Sequence, residues 1–181
     1  MEAVIVRHSD WGETDRLLTI FTRQQGKLRA IAKGVRKPHS RKAGHLEPFT
    51  QVSLLLAHGA GLHIVTQAET IEAYLPLREN LMSLGYASYV IELLDRFTYE
   101  EGENHALFQL VIDTLARLVG EEDTQLTLRY YEVRLLDLLG FRPQLFECAA
   151  CGEQIQAVDQ FFSAAQGGVL CPRCGTGAGG A

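Results

Sequence analysis

Four cysteines stand in two pairs, Cys148-Ala-Ala-Cys151-Gly and Cys171-Pro-Arg-Cys174-Gly, with 19 residues between them. Two C-x-x-C turns at that separation match the ligand pattern of a structural zinc site. Each turn delivers two thiolates, four sulfurs close a tetrahedron, and a glycine after each pair accepts the positive φ expected there. Four thiolate ligands leave no open coordination position, so such a site folds its segment and does not catalyse. The other uses of these cysteines are a redox dithiol or two disulfides. A redox C-x-x-C normally stands alone beside a βαβ unit, which this sequence lacks. The pattern therefore predicts one structural Zn2+ per chain, held by Cys148, Cys151, Cys171 and Cys174.

A second chemistry-bearing stretch is Lys33-Gly-Val-Arg-Lys-Pro-His-Ser-Arg-Lys-Ala-Gly44. All four lysines of the chain (Lys27, Lys33, Lys37, Lys42) lie on it or just before it, and no acid occurs between Arg16 and Leu46. Residues 1–46 carry 10 Lys/Arg against 4 Asp/Glu, whereas residues 47–181 carry 7 against 18. An acidic chain that gathers its positive charge in one region suits a polyanion, because each cation that meets a phosphate releases a condensed counterion. The competing reading is a solvated loop that keeps the protein soluble. On the polyanion reading the contact residues are Arg16, Arg23, Lys27, Arg29, Lys33, Arg36, Lys37, Arg41 and Lys42. The first 73 residues hold only three aromatics. Phe21 and Phe49 read as core. Trp11, in a turn beside Gly12, suits either base stacking or the core. Binding should then be independent of base sequence, with a slope of log K against log salt of roughly −4 to −5 for about six neutralised phosphates.

The elements that must position these groups change texture along the chain. Residues 3–7, 16–22, 27–33, 50–57 and 62–68 mix β-branched and apolar residues over strand lengths. Turn residues separate them at Asp10-Trp-Gly12, Gln24-Gln-Gly26, Pro38 to Gly44, and Gly59-Ala-Gly61. Leu28, Ala30 and Ala32 alternate with Arg29, Ile31 and Lys33, giving one apolar and one partly charged face. Five strands in about 70 residues suit a small barrel, either an OB-fold or an SH3-like one, and the pattern does not fix strand order. After Tyr74-Leu-Pro76, Leu81, Leu84, Ala87 or Ser88, Ile91 and Leu94 recur at helical spacing, predicting a helix over 78–100. A second begins at an Asn104 N-cap and stops near Gly120. A third begins at Asp123 or Thr124, buries Leu128, Tyr131, Leu135 and Leu138, and ends at Gly140 and Pro143. Short connections favour a small helical bundle. Phe161-Phe162 and Val169-Leu170 supply strands and a small core between the cysteine pairs, and the tail from Gly175 is too glycine-rich to be ordered alone. The chain thus reads as an α+β protein of several parts: a barrel over 1–75, a helical domain over 76–147, a zinc-binding element over 148–175 and a flexible tail over 176–181.

Catalytic constellations are missing. Gly26-Lys27-Leu28 lacks the upstream glycine and the hydroxyl residue of a Walker A loop, and Gly59-Ala-Gly61 has Ile64 where a dinucleotide fingerprint wants its third glycine. Neither G-x-S-x-G nor H-E-x-x-H occurs, the six histidines show no ligand spacing, and the carboxylates are scattered. A non-enzyme is predicted. The apolar and charged fractions, 46% and 22%, are those of a globular protein. No apolar run approaches the ~20 residues of a membrane span. The start, Met-Glu-Ala-Val-Ile-Val-Arg, is too short in its apolar part for a secretory signal, so a cytoplasmic protein is expected.

Barrel, bundle and cysteine element in that order resemble the RecO family of bacterial recombination mediators. The residues that carry the likeness are Gly12-Glu-Thr-Asp-Arg-Leu-Leu-Thr-Ile-Phe-Thr22, Gly26-Lys27, Ala32-Lys-Gly-Val-Arg36 with Ser40-Arg41, Leu46-Glu-Pro-Phe49, Leu139-Gly140 with Pro143, and the two C-x-x-C-G turns. The resemblance implies an N-terminal OB-fold, a central helical domain and a zinc element set in it. It also implies binding of single- and double-stranded DNA and annealing of complementary strands, including strands coated with single-strand-binding protein. A partnership with RecR, indirect help in loading RecA and a place at the bacterial nucleoid belong to the same implication. Family members usually continue for some tens of residues past the second cysteine pair, so the likeness also implies C-terminal helices that these 181 residues do not include. A rival from another class is a protein-interaction scaffold built on the zinc ribbon and helices, with no direct DNA role.

Overall fold

The computed structural model describes residues 1–59, 61–99, 102, 104–120 and 123–177. It divides into two compact units, Met1–Tyr131 and Glu132–Ala181.

The first unit begins with five strands: β1 (Glu2–Trp11), β2 (Asp15–Thr22), β3 (Gly26–Ala32), β4 (Gln51–His58) and β5 (His63–Glu72). They close into a barrel in the order β1-β2-β3-β5-β4, with β4 returning to β1. All neighbours are antiparallel except β3 and β5, which run parallel at Ala30↔His63 and Ile31↔Ile64. This is the OB-fold arrangement, and it sets aside the SH3-like alternative. β1 and β5 run about four residues longer than their apolar patterns suggest. Their added residues are mostly polar and exposed, Trp11 and Ile71 being the apolar exceptions, and pair with the neighbouring strands.

Alternation places Ile5, Leu18, Ile20, Leu28, Ala30 and Val52 inside the barrel, where they form one apolar cluster. Val4, Val6 and Phe21 point to the opposite face and are also buried, because helices cover them. Phe21 stacks on Phe108 with ring centroids 6.5 Å apart. The covering layer is α1 (Pro76–Glu79), α2 (Leu81–Phe97) and α3 (His105–Val119), followed by α4 (Thr124–Leu138). A single helix over 78–100 is not formed. Asn80 adopts an extended backbone, and its side chain accepts from the N–H groups of Met82 and Ser83, so it ends α1 and caps α2. Leu81, expected on the buried stripe, is turned out to solvent; Ala87, Val90, Ile91 and Leu94 form the buried face. Asn104 caps α3 as expected, and Asp123, not Thr124, caps α4 through the N–H groups of Gln125 and Leu126. Tyr131 is fully buried and its hydroxyl donates to the Val90 carbonyl at 3.0 Å.

In the second unit Gly140, at φ +83°, ends α4 in the left-handed region that favours glycine. Strands β6 (Phe161–Ser163) and β7 (Gly168–Leu170) pair antiparallel between the cysteine pairs, at the expected places. Leu170 is buried with Cys148 and Cys171, but Phe161 and Phe162 are largely exposed, so the small core is smaller than the sequence suggested. A short helix, α5 (Pro172–Gly177), replaces the irregular chain expected from Gly175; the rest of the glycine-rich tail, residues 178–181, lies outside the described residues. Among the described residues no helix is long and apolar enough to cross a membrane.

Candidate nucleic-acid interface and metal centre

The barrel sorts the nine cations into two groups. Five are tied into the protein. Arg16 donates to Glu47 at 3.0 Å, and Arg23 donates to Glu2 at 3.2 Å. Lys27, on the helix-covered face and only 13% exposed, donates to the backbone carbonyl of Asp95 at 2.6 Å and to its carboxylate at 3.1 Å. Arg36 pairs with Asp10 at 3.1 Å and donates to the carbonyls of Gly12 and Glu13. Lys42 donates to the Val65 carbonyl at 3.0 Å. The other four, Arg29, Lys33, Lys37 and Arg41, are exposed, and their side chains make no hydrogen bond or ion pair among the described residues.

Two of the tethering acids, Asp95 and Glu47, and the nearby Asp15 are held ionised. Burial opposes charge on Asp95, but hydrogen bonds and charge from Lys27 and Arg7 outweigh it and set its carboxyl below the ordinary range. Glu47 is likewise lowered despite burial, by Arg16 and His8. Asp15 is lowered first by the N–H of Gly34, which it accepts at 2.8 Å, and then by Thr14, with Lys33 and Lys37 adding charge. That bond fixes the end of β3 against the start of β2. Gly34 sits at φ +65°, where a side chain would be strained. Sequence reasoning passed over these acids as scattered, because each meets its cation only through the fold.

Trp11 is half exposed at the end of β1, which removes the core option, while Phe21 and Phe49 are buried as expected. His58 and His63 face each other across the β4–β5 ladder with ring centroids 5.1 Å apart, a juxtaposition the linear spacing hides.

In the second unit the four cysteine sulfurs lie within 4.8 Å of one another. A tetrahedron of ~2.3 Å metal–sulfur bonds has edges of about 3.8 Å, and Cys151 and Cys171 are 3.9 Å apart. That is far beyond the ~2.05 Å of a disulfide, and all four cysteines are free. The first pair sits on a tight turn: Gly152 has φ +74°, and its N–H donates to the Cys148 carbonyl at 2.8 Å. The second pair is built differently. Cys171 precedes α5 and Cys174 lies in its first turn, so Gly175 is helical, its N–H donating to the Cys171 carbonyl. The glycine is needed there for space, since a Cβ would stand 2.0 Å from the Phe161 ring. Arg173 of α5 pairs with Glu153 of the first turn, linking the two halves.

The donors suit a divalent cation. The N–H of Cys171 donates to the Cys148 sulfur at 3.3 Å. That bond draws the thiol down to about 6 against the cost of burial, with the N–H groups of Cys151 and Ala150 adding to it. Cys174 is pushed up to about 12, chiefly by the sulfur of Cys171 and then that of Cys151. Four neighbouring thiolates repel one another, and a doubly charged ion at their centre removes that conflict while closing the tetrahedron.

These features define an OB-fold protein that carries a helical layer and a four-cysteine cluster on one chain. Comparison with known proteins adds the family. A model described as "Recombination protein O N terminal" matches residues 1–74, and "Recombination protein O C terminal" matches residues 78–181. The chain is 50% identical over 173 residues to the DNA repair protein RecO of Roseiflexus sp. (strain RS-1), covering 96% of this chain and 61% of that protein. It is 40% identical over 172 residues to the RecO of Dehalococcoides mccartyi (strain ATCC BAA-2266), covering 95% and 68%. With the RecO of Pelotomaculum thermopropionicum the identity is 41% over 173 residues, covering 96% and 67%. The chain belongs to the RecO family, and it spans about three fifths to two thirds of the length of these relatives.

Proposed function

We propose that this chain is the DNA-handling part of a recombination mediator in DNA repair. The observation that carries the reading is the cationic set Arg29, Lys33, Lys37 and Arg41 on the OB barrel and its β3–β4 loop, exposed and with side chains that make no hydrogen bond or ion pair among the described residues. Desolvating a cation that already has a protein partner costs that partnership, whereas these four are available to phosphates. Arg16, Arg23, Lys27, Arg36 and Lys42 act one step back, fixing the strands and loops that present the four.

Contacts to phosphates alone carry no base information, so single and double strands both bind, and binding tracks salt. Screening two backbones at once lets base pairing choose the partner, which is how the chain would anneal complementary strands. Family membership supports the remaining parts of the reading: action with RecR, assistance to RecA loading on strands coated with single-strand-binding protein, and work in the cytoplasm at the nucleoid. It supports equally a barrel, a helical domain and a zinc element divided near residues 75 and 147, and a role without catalysis. Zn2+ is the metal assigned to Cys148, Cys151, Cys171 and Cys174. Bound there it would supply structure, since no position remains for a substrate.

The test is fluorescence anisotropy of a labelled single strand and a labelled duplex, with Lys33→Glu, Lys37→Glu and Arg41→Glu combined in one variant. The reading expects a loss of affinity of tenfold or more for both. Equal binding by variant and wild type would instead favour a protein-interaction scaffold.

A further inference from the structure

The register of the first three strands assembles a surface that the charges alone do not define. On β3, Lys27, Arg29 and Ile31 point outward, alternating with the buried Leu28, Ala30 and Ala32. Their partners on β2 are Phe21, Thr19 and Leu17. The partners of those residues on β1 are Val4, Arg7 and Ser9, and one rung further Asp15 faces Trp11. One outer face therefore runs in rows from Val4-Phe21-Lys27, through Arg7-Thr19-Arg29 and Ser9-Leu17-Ile31, to Trp11-Asp15. The helical layer covers the first row, where Phe21 meets Phe108 and Lys27 meets Asp95. At the far end Trp11 is 50% exposed, and Leu17 and Ile31 keep part of their surface in solvent.

The tip that carries Trp11 is held in place. The Arg36 N–H donates to the Thr14 carbonyl at 2.9 Å, its guanidinium reaches the Gly12 and Glu13 carbonyls, and its ion pair to Asp10 closes the same turn. Asp15, the cross-strand partner of Trp11, accepts from Gly34, the residue after Lys33. Trp11 thus lies two strand spacings, ~10 Å, from the backbone of the basic loop. Its indole makes no hydrogen bond or ring contact among the described residues.

We propose that the open half of this face is a single-strand site in which Trp11 stacks on an unpaired base, Leu17 and Ile31 form its apolar floor, and Arg29 and Lys33 take the flanking phosphates. A paired base keeps its faces inside the duplex, so this contact separates single strands from duplex where phosphate contacts cannot. The inference rests on the DNA reading above and names the form of DNA that this face prefers.

Trp11 is the one tryptophan of the chain, so its own emission reports the contact. The experiment titrates the protein with an oligo-dT strand and with a blunt duplex, following tryptophan emission and, in parallel, anisotropy. Trp11→Ala and Trp11→Phe are followed by anisotropy across a salt series. Oligo-dT should quench the emission in step with binding while the duplex leaves it nearly unchanged. Trp11→Ala should weaken oligo-dT binding by about tenfold or more, from the usual worth of one stacked base, with the salt slope kept and duplex affinity unchanged. Trp11→Phe should recover most of the loss, which an unfolded hairpin would not do. Unchanged oligo-dT affinity in Trp11→Ala, or equal quenching by duplex, overturns the stacking site. If the salt slope stays steep in that case the DNA reading itself survives; a slope near zero in the wild type removes both.

Discussion

The separation of free from tethered cations has a numerical consequence for salt dependence. Each phosphate neutralised contributes about −0.7 to the slope of log K against log salt on a single strand and about −0.9 on a duplex. Four available cations, Arg29, Lys33, Lys37 and Arg41, give slopes of about −2.8 and −3.6. Nine would give about −6 and −8, and the six phosphates suggested by the sequence would fall between. Lys37→Ala with Arg41→Ala should bring the single-strand slope to about −1.4. Raising salt from about 50 to 200 mM should then weaken the wild type about 50-fold and the double variant about sevenfold. Lys27→Met is the control: its ammonium is held by Asp95, so the slope should stay within a few tenths of the wild type. Anisotropy on a labelled oligonucleotide at five or six salt concentrations measures all three slopes. A wild-type slope steeper than about −6 would mean that the tethered cations also leave their partners for phosphate, and would refute the partition.

Asp95 bridges Lys27 and Arg7, so Asp95→Asn should lower unfolding free energy at pH 7 by about 1–3 kcal/mol, the usual cost of leaving a buried charged donor short of its acceptor. Because the folded-state pKa of Asp95 is depressed, its contribution is fully present above the ordinary carboxylate pKa of ~3.9 and is lost as pH falls through the lower folded value. Urea melts at pH 7 and pH 3 should show the wild-type advantage shrinking in acid; a constant gap would break the linkage. One Zn2+ per chain should be released when the cysteines are titrated with a thiol reagent, and Cys148→Ser or Cys171→Ser should abolish its retention, measured by a colorimetric zinc assay with circular dichroism. Survival of full metal content in both variants would remove the site. Gly26→Ala should cost about 2 kcal/mol or more, read from thermal melts, since φ is +67° and a Cβ would stand 2.2 Å from the Gly102 carbonyl oxygen. A neutral result would show that the 25–26 turn and Gly102 can move apart.

Much was legible along the chain because its causes are local. Strand positions follow from β-branched alternation and turn residues, the caps at Asn104 and Asp123 from side chains that reach N–H groups two or three residues on, and the stop at Gly140 from its positive φ. The cysteine cluster was legible for the same reason, as each pair closes within one turn. The break at Asn80 was missed because the leucine stripe continues through it, and the helical setting of Cys174 because C-x-x-C spacing serves a turn and a helix alike.

The sequence by itself determined which residues form the barrel strands, where the helices are capped, and that four cysteines and a basic stretch are the groups with chemistry to offer. The tertiary structure alone decided the strand order, the open face that carries Trp11, and which cations are free. Lys27 and Arg7 find Asp95 across 68 and 88 residues, and Arg16 finds Glu47 across 31. Periodicity and turn chemistry act over a few residues. Ion pairing acts over a few ångströms, whatever the distance along the chain.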